Sequence, residues 1–348
     1  MNIKPIVSLI TAASALASLL VASSLQAAPT LLDVVTFGGA FEKAAQAAYF
    51  APFTQATGIG FNLEAYDGGL AKLAAMVQAN NTTWDVIDLE SNDAIAACGE
   101  KKEEAAVTAE DIIPGSISDC AVASMVWSTV FAYDTTKLKT APTQINDFFD
   151  TEKFPGKRGL RKNPKGTLEW ALLADGVPKA DVYKVLQTPA GQDRAFKKLD
   201  TIKHDILWWE SGAQAPQLLA DGAVVMTQGY NGRIQDAVEK DNKPFAIVWD
   251  GQVYDFEWWG VPKGSKNAEA ATQFIAFASR PEVISQLSRY IAYAPPRTQA
   301  LPLIEAKTLA HLPTAPANFG NAVHMDANFW TDNFDTINKR FQVWLSQP

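Results

Sequence analysis

Two acidic residues stand two positions apart in the aromatic stretch "YDFEWWGVPKG", which runs from residue 254 to residue 264. Side chains alternate between the two faces of a strand, so Asp255 and Glu257 would share one face and Phe256 and Trp258 the other. Burying an unpaired carboxylate costs roughly several kcal/mol. Contact with solvent or with a cation must therefore offset the cost of burying these two acids. A ligand is one candidate for that cation.

Catalysis by these two acids is disfavoured by their spacing. Residues two apart on one strand face lie about 7 Å apart and side by side, whereas glycosidase carboxylates flank the scissile bond from separate elements. No GxSxG, HExxH, GxGxxG or P-loop pattern occurs. The three histidines, His204, His311 and His324, have no ligand-like spacing. We predict a protein that is not an enzyme and has no metal or cofactor, with a secreted hydrolase as a remote alternative.

The first 27 residues have the features of a secretory signal peptide. Lys4 precedes an apolar run from residue 6 to residue 24, and the small residues of "SLQAAP" follow it. We predict cleavage after Ala27, because cleavage after Ala28 would leave Pro29 next to the cut. An uncleaved membrane anchor is the alternative. No cysteine stands near the end of the apolar run, so the sequence does not indicate a lipoprotein.

Composition and length narrow the class of protein further. The chain has 348 residues, enough for two domains, and 30 Lys and Arg against 38 Asp and Glu give a net charge of −8. This balance argues against binding to nucleic acid or to an anionic membrane, and it suits the attraction of a cation.

Two cysteines, Cys98 and Cys120, are the whole count. An exported chain meets oxidising conditions, so we predict that they form a disulfide. A loop of this length would contribute about 3 kcal/mol to stability if the bond is unstrained. Two separate buried thiols are the alternative.

The amino-terminal part predicts three strands, "LLDVVTF", "IGFNLEAYDG" and "WDVIDLES", which alternate with two amphipathic helices, "FEKAAQAAYFAPFTQATG" and "GLAKLAAMVQAN". This βαβαβ order favours an α/β fold with a parallel sheet, in which ligands bind beyond the carboxyl ends of the strands. The candidate ligand residues there are Phe37, Gly38, Gly39, Asp67 and Glu90.

Helices and strands alternate again after residue 166. "TLEWALLADG", "APQLLADG" and "NGRIQDAVEKDN" are predicted helices, and "ILWWES", "AVVMTQGY" and "PFAIVWDG" are predicted strands. The tail "NFWTDNFDTINKRFQVWLSQP" is predicted to be a final amphipathic helix. The chain therefore contains a second α/β unit.

The segments "WDVIDLES", "VWSTVFAYDTTKL", "KFPGKRGL", "LLADGAVVMTQGYNGR" and "GVPKGSKNAEAATQFIAFASRPEV" resemble the periplasmic solute-binding proteins of ABC importers, in the spermidine/putrescine-binding family. The resemblance implies a two-lobed fold with a ligand cleft between the lobes and two hinge crossovers, near residues 132–140 and 257–262. It also implies a monomer in the periplasm that delivers a small molecule to a membrane permease. The predicted bounds are 1–27 for the signal peptide, 28–134 plus 262–310 for lobe 1, and 135–261 plus 311–348 for lobe 2.

The resemblance assigns roles to two residues. Glu257 stands five residues before Pro262, the position of an acid that binds a ligand amine in the family. Tyr230 in "GYNGR" matches an aromatic residue against which the methylenes of the ligand pack, although an ordinary core residue is the alternative. The chain departs from the polyamine pattern at "LRKNPKGT", which supplies Arg161, Lys162 and Lys165 where the family has an acidic pair.

A second departure is Arg233, which follows the aromatic turn and offers a planar fork of donors suited to a carboxylate. Asp255 and Glu257 could bind an ammonium group, Arg233 a carboxylate, and Tyr230 or Trp258 the alkyl chain between them. This combination predicts a linear ω-amino acid as the ligand, and 4-aminobutyrate is the simplest. An ion pair of Arg233 with an acid of the protein is the alternative.

The alternative ligand is a diamine or polyamine, putrescine or spermidine. Glu90 in "DLES" and Glu210 in "WWES" could provide its second anionic end. Asp67, Gln214 and Asn231 are polar residues that could orient either kind of ligand.

Overall fold

The computed structural model describes residues 30–98, 111–113, 115–118 and 120–347. The predicted signal peptide lies outside these residues, and so does the side chain of Cys98. The predicted disulfide with Cys120 therefore stays a prediction.

The described residues form one mixed sheet of nine strands. In chain order the strands are β1 (Leu31–Thr36), β2 (Gly60–Ala65), β3 (Val86–Glu90), β4 (Ala121–Asp134), β5 (Arg158–Arg161), β6 (Ile206–Trp209), β7 (Met226–Tyr230), β8 (Phe245–Gly260) and β9 (Val323–His324). Their order across the sheet is β2-β1-β3-β8-β4-β7-β5-β6, and β9 pairs with β8.

Helices cover the sheet and connect its strands. They are α1 (Gly39–Ala45), α2 (Ala51–Thr57), α3 (Ala71–Gln78), α4 (Ser91–Cys98), α5 (Ile145–Phe149), α6 (Thr167–Ala174), α7 (Val182–Leu186), α8 (Pro189–Asp200), α9 (Gln214–Ala220), α10 (Asn231–Glu239), α11 (Ala268–Ala278), α12 (Pro281–Leu287), α13 (Ala306–Leu309) and α14 (Ala327–Ser346). A π-helical turn, Gln46–Phe50, joins α1 to α2, and short 3-10 turns span Lys179–Asp181, Lys203–Asp205 and Thr298–Leu303. No helix of the described ranges is long and apolar enough to cross a membrane.

The predicted βαβαβ unit is confirmed. β1 pairs in parallel with β2 on one side and with β3 on the other. The helix between β1 and β2 ends at Gly58, whose φ of 78° is the left-handed conformation in which glycine commonly terminates helices. The carboxyl ends of the three strands therefore meet at one edge of the sheet.

Two long strands, β4 and β8, connect the two α/β units. β3 pairs with the end of β8, from Glu257 to Gly260, whereas β7 pairs with the end of β4, from Thr129 to Tyr133. The segments "PFAIVWDG" and "YDFEWWG" belong to one strand, in which Gly251 has a φ of 72°. The predicted crossovers overlap the carboxyl ends of β4 and β8, and the lobe boundaries themselves stay a prediction.

The core lies on both faces of this sheet. Trp259 packs with Phe50 and Phe274 in the larger hydrophobic cluster. Trp258 and Phe256 lie in a separate cluster. The alternation of faces predicted for the aromatic strand is therefore confirmed for these residues.

Candidate functional site

A cleft of about 670 Å³, its open mouth included, lies where the carboxyl ends of strands from both units converge. Seven of its residues lie at or just after the carboxyl end of a strand: Phe37, Asp67, Glu90, Arg161, Glu210, Ser211, which directly follows Glu210, and Tyr230. The other lining residues are Phe41, Met125, Trp127, Gly212, Arg233, Glu257 and Tyr293. This is the edge at which α/β sheets bind ligands.

Glu257 supplies an unpaired carboxyl group to the cleft. It lies on β8 with Glu90 of β3 as one cross-strand neighbour and Met125 of β4 as the other. Only 5% of the residue is exposed, and its Oε1 has no hydrogen-bond partner among the described residues. Burial, together with the charges of Asp88 and Glu90, raises the pKa of Glu257 well above its usual value. A cationic ligand group would remove this penalty.

A second buried carboxyl group lies behind the first. Asp88 of β3 is fully buried, and neither of its side-chain oxygens has a hydrogen-bond partner among the described side chains and backbone groups. Burial raises its pKa strongly, and the nearby backbone N–H of Phe37, which does not reach hydrogen-bond geometry with the carboxyl group, offsets this only in part. Asp88 therefore adds to the demand for positive charge near Glu257.

Glu90 is paired, in contrast to Glu257. Its carboxylate forms ion pairs with Lys165 and with Arg161, whose Nη2 lies 3.6 Å from Oε1. Burial acts to raise the pKa of Glu90, but the two cations outweigh it and hold that pKa at about 2. The protein itself thus neutralises Glu90.

Arg233 is the cation of the cleft without an acidic partner. No carboxylate lies within ion-pair distance of it in the described part of the chain, and its Nε is buried without a hydrogen-bond partner. Glycines make room for the guanidinium: a Cβ at Gly39 would lie 2.8 Å from Nη1, and a Cβ at Gly212 would lie 3.0 Å from Nε. The side chain is therefore confined but uncompensated, which suits an anionic ligand group.

Aromatic rings form the apolar walls. Tyr230 packs edge-on against Trp127 and Trp209, with ring centroids 5.2 and 5.8 Å apart. The guanidinium of Arg161 lies 5.7 Å from the Tyr230 ring centroid. Burial raises the pKa of Tyr230 to about 12, so its hydroxyl stays protonated. These walls exclude water and suit a short alkyl chain.

The mouth of the cleft carries exposed acids. Asp67 follows β2, and Glu210 follows β6 and is paired at 3.0 Å with Lys162. Gln214 does not line the cleft, because its Oε1 accepts the backbone N–H groups of Glu210 and Ser211. Gln214 therefore holds the loop that carries Glu210.

Three other predicted residues lie behind the cleft. Asp255 accepts hydrogen bonds from the Ser91 hydroxyl at 2.5 Å and from the Phe256 backbone, and burial raises its pKa to about 7. Trp258 belongs to the hydrophobic core and donates its Nε1–H to Ser91. The Asn231 side chain, fully buried, bonds to the backbone of Ser128 and Ala292. Of the two acids in the opening stretch, only Glu257 lines the cleft.

The two predicted glycines contribute by leaving room for neighbouring groups, since they have no side chain to bind a ligand. Gly38 has a φ of 61°, and a Cβ there would lie 2.9 Å from that of Ala65. Gly39 leaves the space that Arg233 occupies. Both glycines therefore allow the chain to turn from β1 into α1 beside the cleft.

Several lining residues were not among the predicted ligand residues. Arg161 was recognised as a departure from the polyamine pattern but not as part of the site. Trp127 and Tyr293 come from β4 and from the segment after α12, and their local sequence gives no signal of a ligand site. The remaining members of this set are Phe41, Met125, Ser211 and Gly212.

The sequence profile of the bacterial extracellular solute-binding protein family matches residues 48–314. The chain is 46% identical over 331 residues to a gamma-aminobutyric acid-binding protein of Pseudomonas aeruginosa, which covers 94% of each sequence. It is 29% identical over 96 residues to the putrescine-binding periplasmic protein PotF of Escherichia coli, 26% of each sequence.

Solved structures show the same architecture. The PBP MotA of A. tumefaciens B6 in complex with glucopine superposes with a TM-score of 0.83 at 31% identity and covers 90% of this chain and 99% of its own. A solved structure described as a GABA receptor superposes with a TM-score of 0.81 at 34% identity and covers 91% of this chain and 98% of its own. The predicted two-lobed α/β fold is confirmed, and the chain belongs to the bacterial extracellular solute-binding protein family.

Proposed function

We propose that this protein captures a linear ω-amino acid, with 4-aminobutyrate as the first candidate, as the binding component of an ABC importer. The observation that carries the proposal is a pair of uncompensated groups of opposite type in one cleft. Among the residues that the structure describes, a buried carboxyl oxygen of Glu257 has no hydrogen-bond partner, and the guanidinium of Arg233 has no acid within ion-pair distance. A zwitterion supplies the missing charge at both places.

The walls support a ligand whose charges are separated by methylene groups. Phe37, Trp127 and Tyr230 line the cleft together with the charged residues. Alkyl contact with such rings is favourable by about 25 cal/mol for each Å² of apolar surface removed from water. A closed, water-poor cleft also strengthens the charge-assisted hydrogen bonds at each end of the ligand.

The relatives support the same ligand class. The gamma-aminobutyric acid-binding protein of Pseudomonas aeruginosa matches along almost the whole chain, whereas the putrescine-binding protein PotF matches over about a quarter. The GABA receptor also superposes over nine-tenths of the chain.

Putrescine is the second candidate. The observation that favours it is the pair of exposed acids, Asp67 and Glu210, at the mouth of the cleft. Glu90, the predicted partner of its second ammonium, is already occupied by two cations of the protein. We therefore place putrescine second.

The setting of this function follows from the predicted signal peptide. We propose that the chain is cleaved after Ala27, folds in the periplasm with a Cys98–Cys120 disulfide, and acts as a monomer. The closed, ligand-bound form would dock on a membrane permease. The role requires capture and release of the solute without chemical change.

Calorimetric titration tests the function. 4-Aminobutyrate should bind, and in a thermal-unfolding scan it should raise the melting temperature with the logarithm of its concentration over Kd. Butyrate lacks the ammonium and n-butylamine lacks the carboxylate, so each should bind at least about tenfold more weakly than 4-aminobutyrate. If n-butylamine bound as tightly as 4-aminobutyrate, the guanidinium of Arg233 would not bind the ligand's carboxylate. No binding of 4-aminobutyrate at millimolar concentration would overturn the proposal.

A further inference from the structure

Trp127 brings a second uncompensated hydrogen-bond donor to the cleft. It lies on β4, lines the cleft, and is only 5% exposed. Its indole Nε1–H is buried and has no hydrogen-bond partner among the described residues. Buried donors in native proteins are nearly always paired with protein, water or a ligand. This N–H group therefore requires an acceptor that the described side chains and backbone do not supply.

The register of β4 places Trp127 away from the proposed seat of the amine. Met125 is the cross-strand neighbour of Glu257, and Thr129 is that of Tyr230. Trp127 lies midway between these two positions, two residues or about 7 Å along the strand from each. It is therefore displaced from Glu257 in the direction of Tyr230.

The ring of Tyr230 lies beside both Trp127 and Arg233. The ring centroids of Trp127 and Tyr230 are 5.2 Å apart, with the rings edge to face. A Cβ at Gly212 would lie 2.8 Å from the Tyr230 ring and 3.0 Å from the Nε of Arg233, so this ring and the guanidinium are neighbours. The indole and the guanidinium thus flank the same stretch of the cleft.

The chemistry of the indole decides which ligand group it can bind. An indole N–H only donates hydrogen bonds, and an ammonium group has donors and no acceptor. The amine end of an ω-amino acid therefore cannot pair with Trp127. Its carboxylate has two acceptor oxygens and can accept from the indole and from Arg233 together. A diamine satisfies neither donor.

We propose that Trp127 is a further binding residue for the ligand carboxylate, whose indole Nε1–H donates to one carboxylate oxygen while Arg233 binds the same group from the other unit. The inference rests on the proposed function and adds a specificity-determining residue to it. A neutral donor favours the carboxylate without bringing another positive charge toward the ammonium of the ligand. Trp127 therefore contributes to the preference for an ω-amino acid over a diamine.

A packing role alone makes a different prediction, and Trp209 supplies the comparison. Trp209 is buried, its Nε1 also has no partner among the described residues, and its ring packs edge-on against Tyr230 at 5.8 Å. It is not one of the described residues that line the cleft. If Trp127 served only to hold the Tyr230 ring, replacing either tryptophan by phenylalanine would weaken every ligand by the same factor.

The test titrates Trp127→Phe with 4-aminobutyrate, butyrate and n-butylamine. The affinities for 4-aminobutyrate and butyrate should each fall by at least about tenfold, because a hydrogen bond to a charged group is lost, whereas that for n-butylamine should stay within about threefold. Titration of 4-aminobutyrate into protein preloaded with either weaker ligand gives the Kd of that ligand. Trp209→Phe is the matched control and should leave the ratio of 4-aminobutyrate to n-butylamine affinity unchanged.

Nuclear magnetic resonance of the indole N–H groups supplies a test that does not depend on the folding of Trp127→Phe. The Trp127 resonance is assigned through its contacts with the Tyr230 ring, and Trp209→Phe identifies the other indole beside that ring. Saturation with 4-aminobutyrate should move the Trp127 proton downfield and slow its exchange with water, whereas n-butylamine should do neither.

Two outcomes would overturn the role of Trp127 and leave the proposed function intact. One is an equal loss of affinity for all three ligands in Trp127→Phe, which a contact of the indole with Glu257 would also produce. The other is an indole resonance that responds equally to 4-aminobutyrate and n-butylamine, or to neither. Failure of the unaltered protein to bind 4-aminobutyrate would instead overturn the function.

Discussion

Glu90 and Glu257 lie directly opposite each other on neighbouring antiparallel strands, and within the described part of the chain Glu90 alone of the two is paired with cations. Like charges at such a position destabilise a sheet. The protein resolves the conflict by holding Glu90 ionised with Arg161 and Lys165 and by raising the pKa of Glu257. The unsatisfied acid is thereby left for the solute.

Arg233→Ala should separate the two candidate ligands. For 4-aminobutyrate the loss of affinity should be about 2 kcal/mol or more, because a charge-assisted pair is removed from a closed cleft. Putrescine affinity should stay the same or rise, since a like charge is removed. Calorimetric titration of both ligands measures the difference, and Arg289→Ala, at an exposed position, is the matched control. Tighter binding of 4-aminobutyrate by Arg233→Ala would reject the zwitterion as the natural ligand.

Glu257→Gln should weaken 4-aminobutyrate and putrescine alike, each by about 2 kcal/mol or more, because both present an ammonium to this carboxyl group. In the unaltered protein, binding should also release a proton at pH values below the raised pKa of Glu257, since its carboxyl group must ionise against the ammonium. Titrations in two buffers of different ionisation enthalpy count the released protons. Glu269→Gln on the exposed side of α11 is the control, and proton release by Glu257→Gln equal to that of the unaltered protein would assign the proton to another group.

Asp255→Asn should change how stability depends on pH. Burial raises the pKa of Asp255 to about 7, so between about pH 4 and pH 7 the folded protein keeps a proton that the unfolded chain has lost. The stabilisation that this proton supplies is fully present below pH 4 and is lost as the pH rises through 7. Asparagine cannot ionise and should keep the hydrogen bonds from Ser91 and Phe256. Between pH 5 and pH 8, the free energy of unfolding of the variant should therefore fall by on the order of 2 kcal/mol less than that of the unaltered protein.

Urea unfolding of the ligand-free protein at pH 5 and pH 8 measures this effect. Asp241→Asn, at an exposed position on the surface, should follow the unaltered protein. Parallel loss of stability in Asp255→Asn and in the unaltered protein would show that Asp255 does not titrate in this range.

The exported protein should begin at Ala28 and contain no free thiol. Intact-mass measurement after alkylation under denaturing conditions, with and without reductant, tests both points. Alkylation of Cys98 and Cys120 in the unreduced sample would exclude the disulfide, and a mass that includes Lys4 would exclude the cleavage.

The elements that were predicted are those whose residues are local in sequence. β1, β2 and β3 follow from short apolar runs, and α14 follows from its amphipathic period. β8 is predicted as two pieces, "PFAIVWDG" and the aromatic stretch that begins at Tyr254. In the structure Gly251 has a positive φ within a single strand that remains paired with β4.

The candidate site was harder to predict than the fold, because the charged side chains that pair with one another in it are far apart in the sequence. Lys165 lies 75 residues from Glu90, and nothing in either segment indicates that the two side chains pair. Alternation along β8 places Trp258 on the face opposite Glu257, where it enters the core. Arg161 stands out by type in "LRKNPKGT", but its contact with Tyr230 depends on the pairing of β5 with β7.

The long strands β4 and β8 run through both α/β units, and this bears on which end of a solute is bound first. Glu257 is flanked by β3 and by the first half of β4, so its surroundings stay assembled when the two units move apart by twisting the long strands. Arg233 follows β7 and moves with the other unit. If the proposed amino acid is the solute, its amine end would bind first at Glu257, and its acid end would bind afterwards, when the second unit brings Arg233 to it. The two ends of the solute would then be recognised in succession, with the contact to Arg233 as the last step of capture.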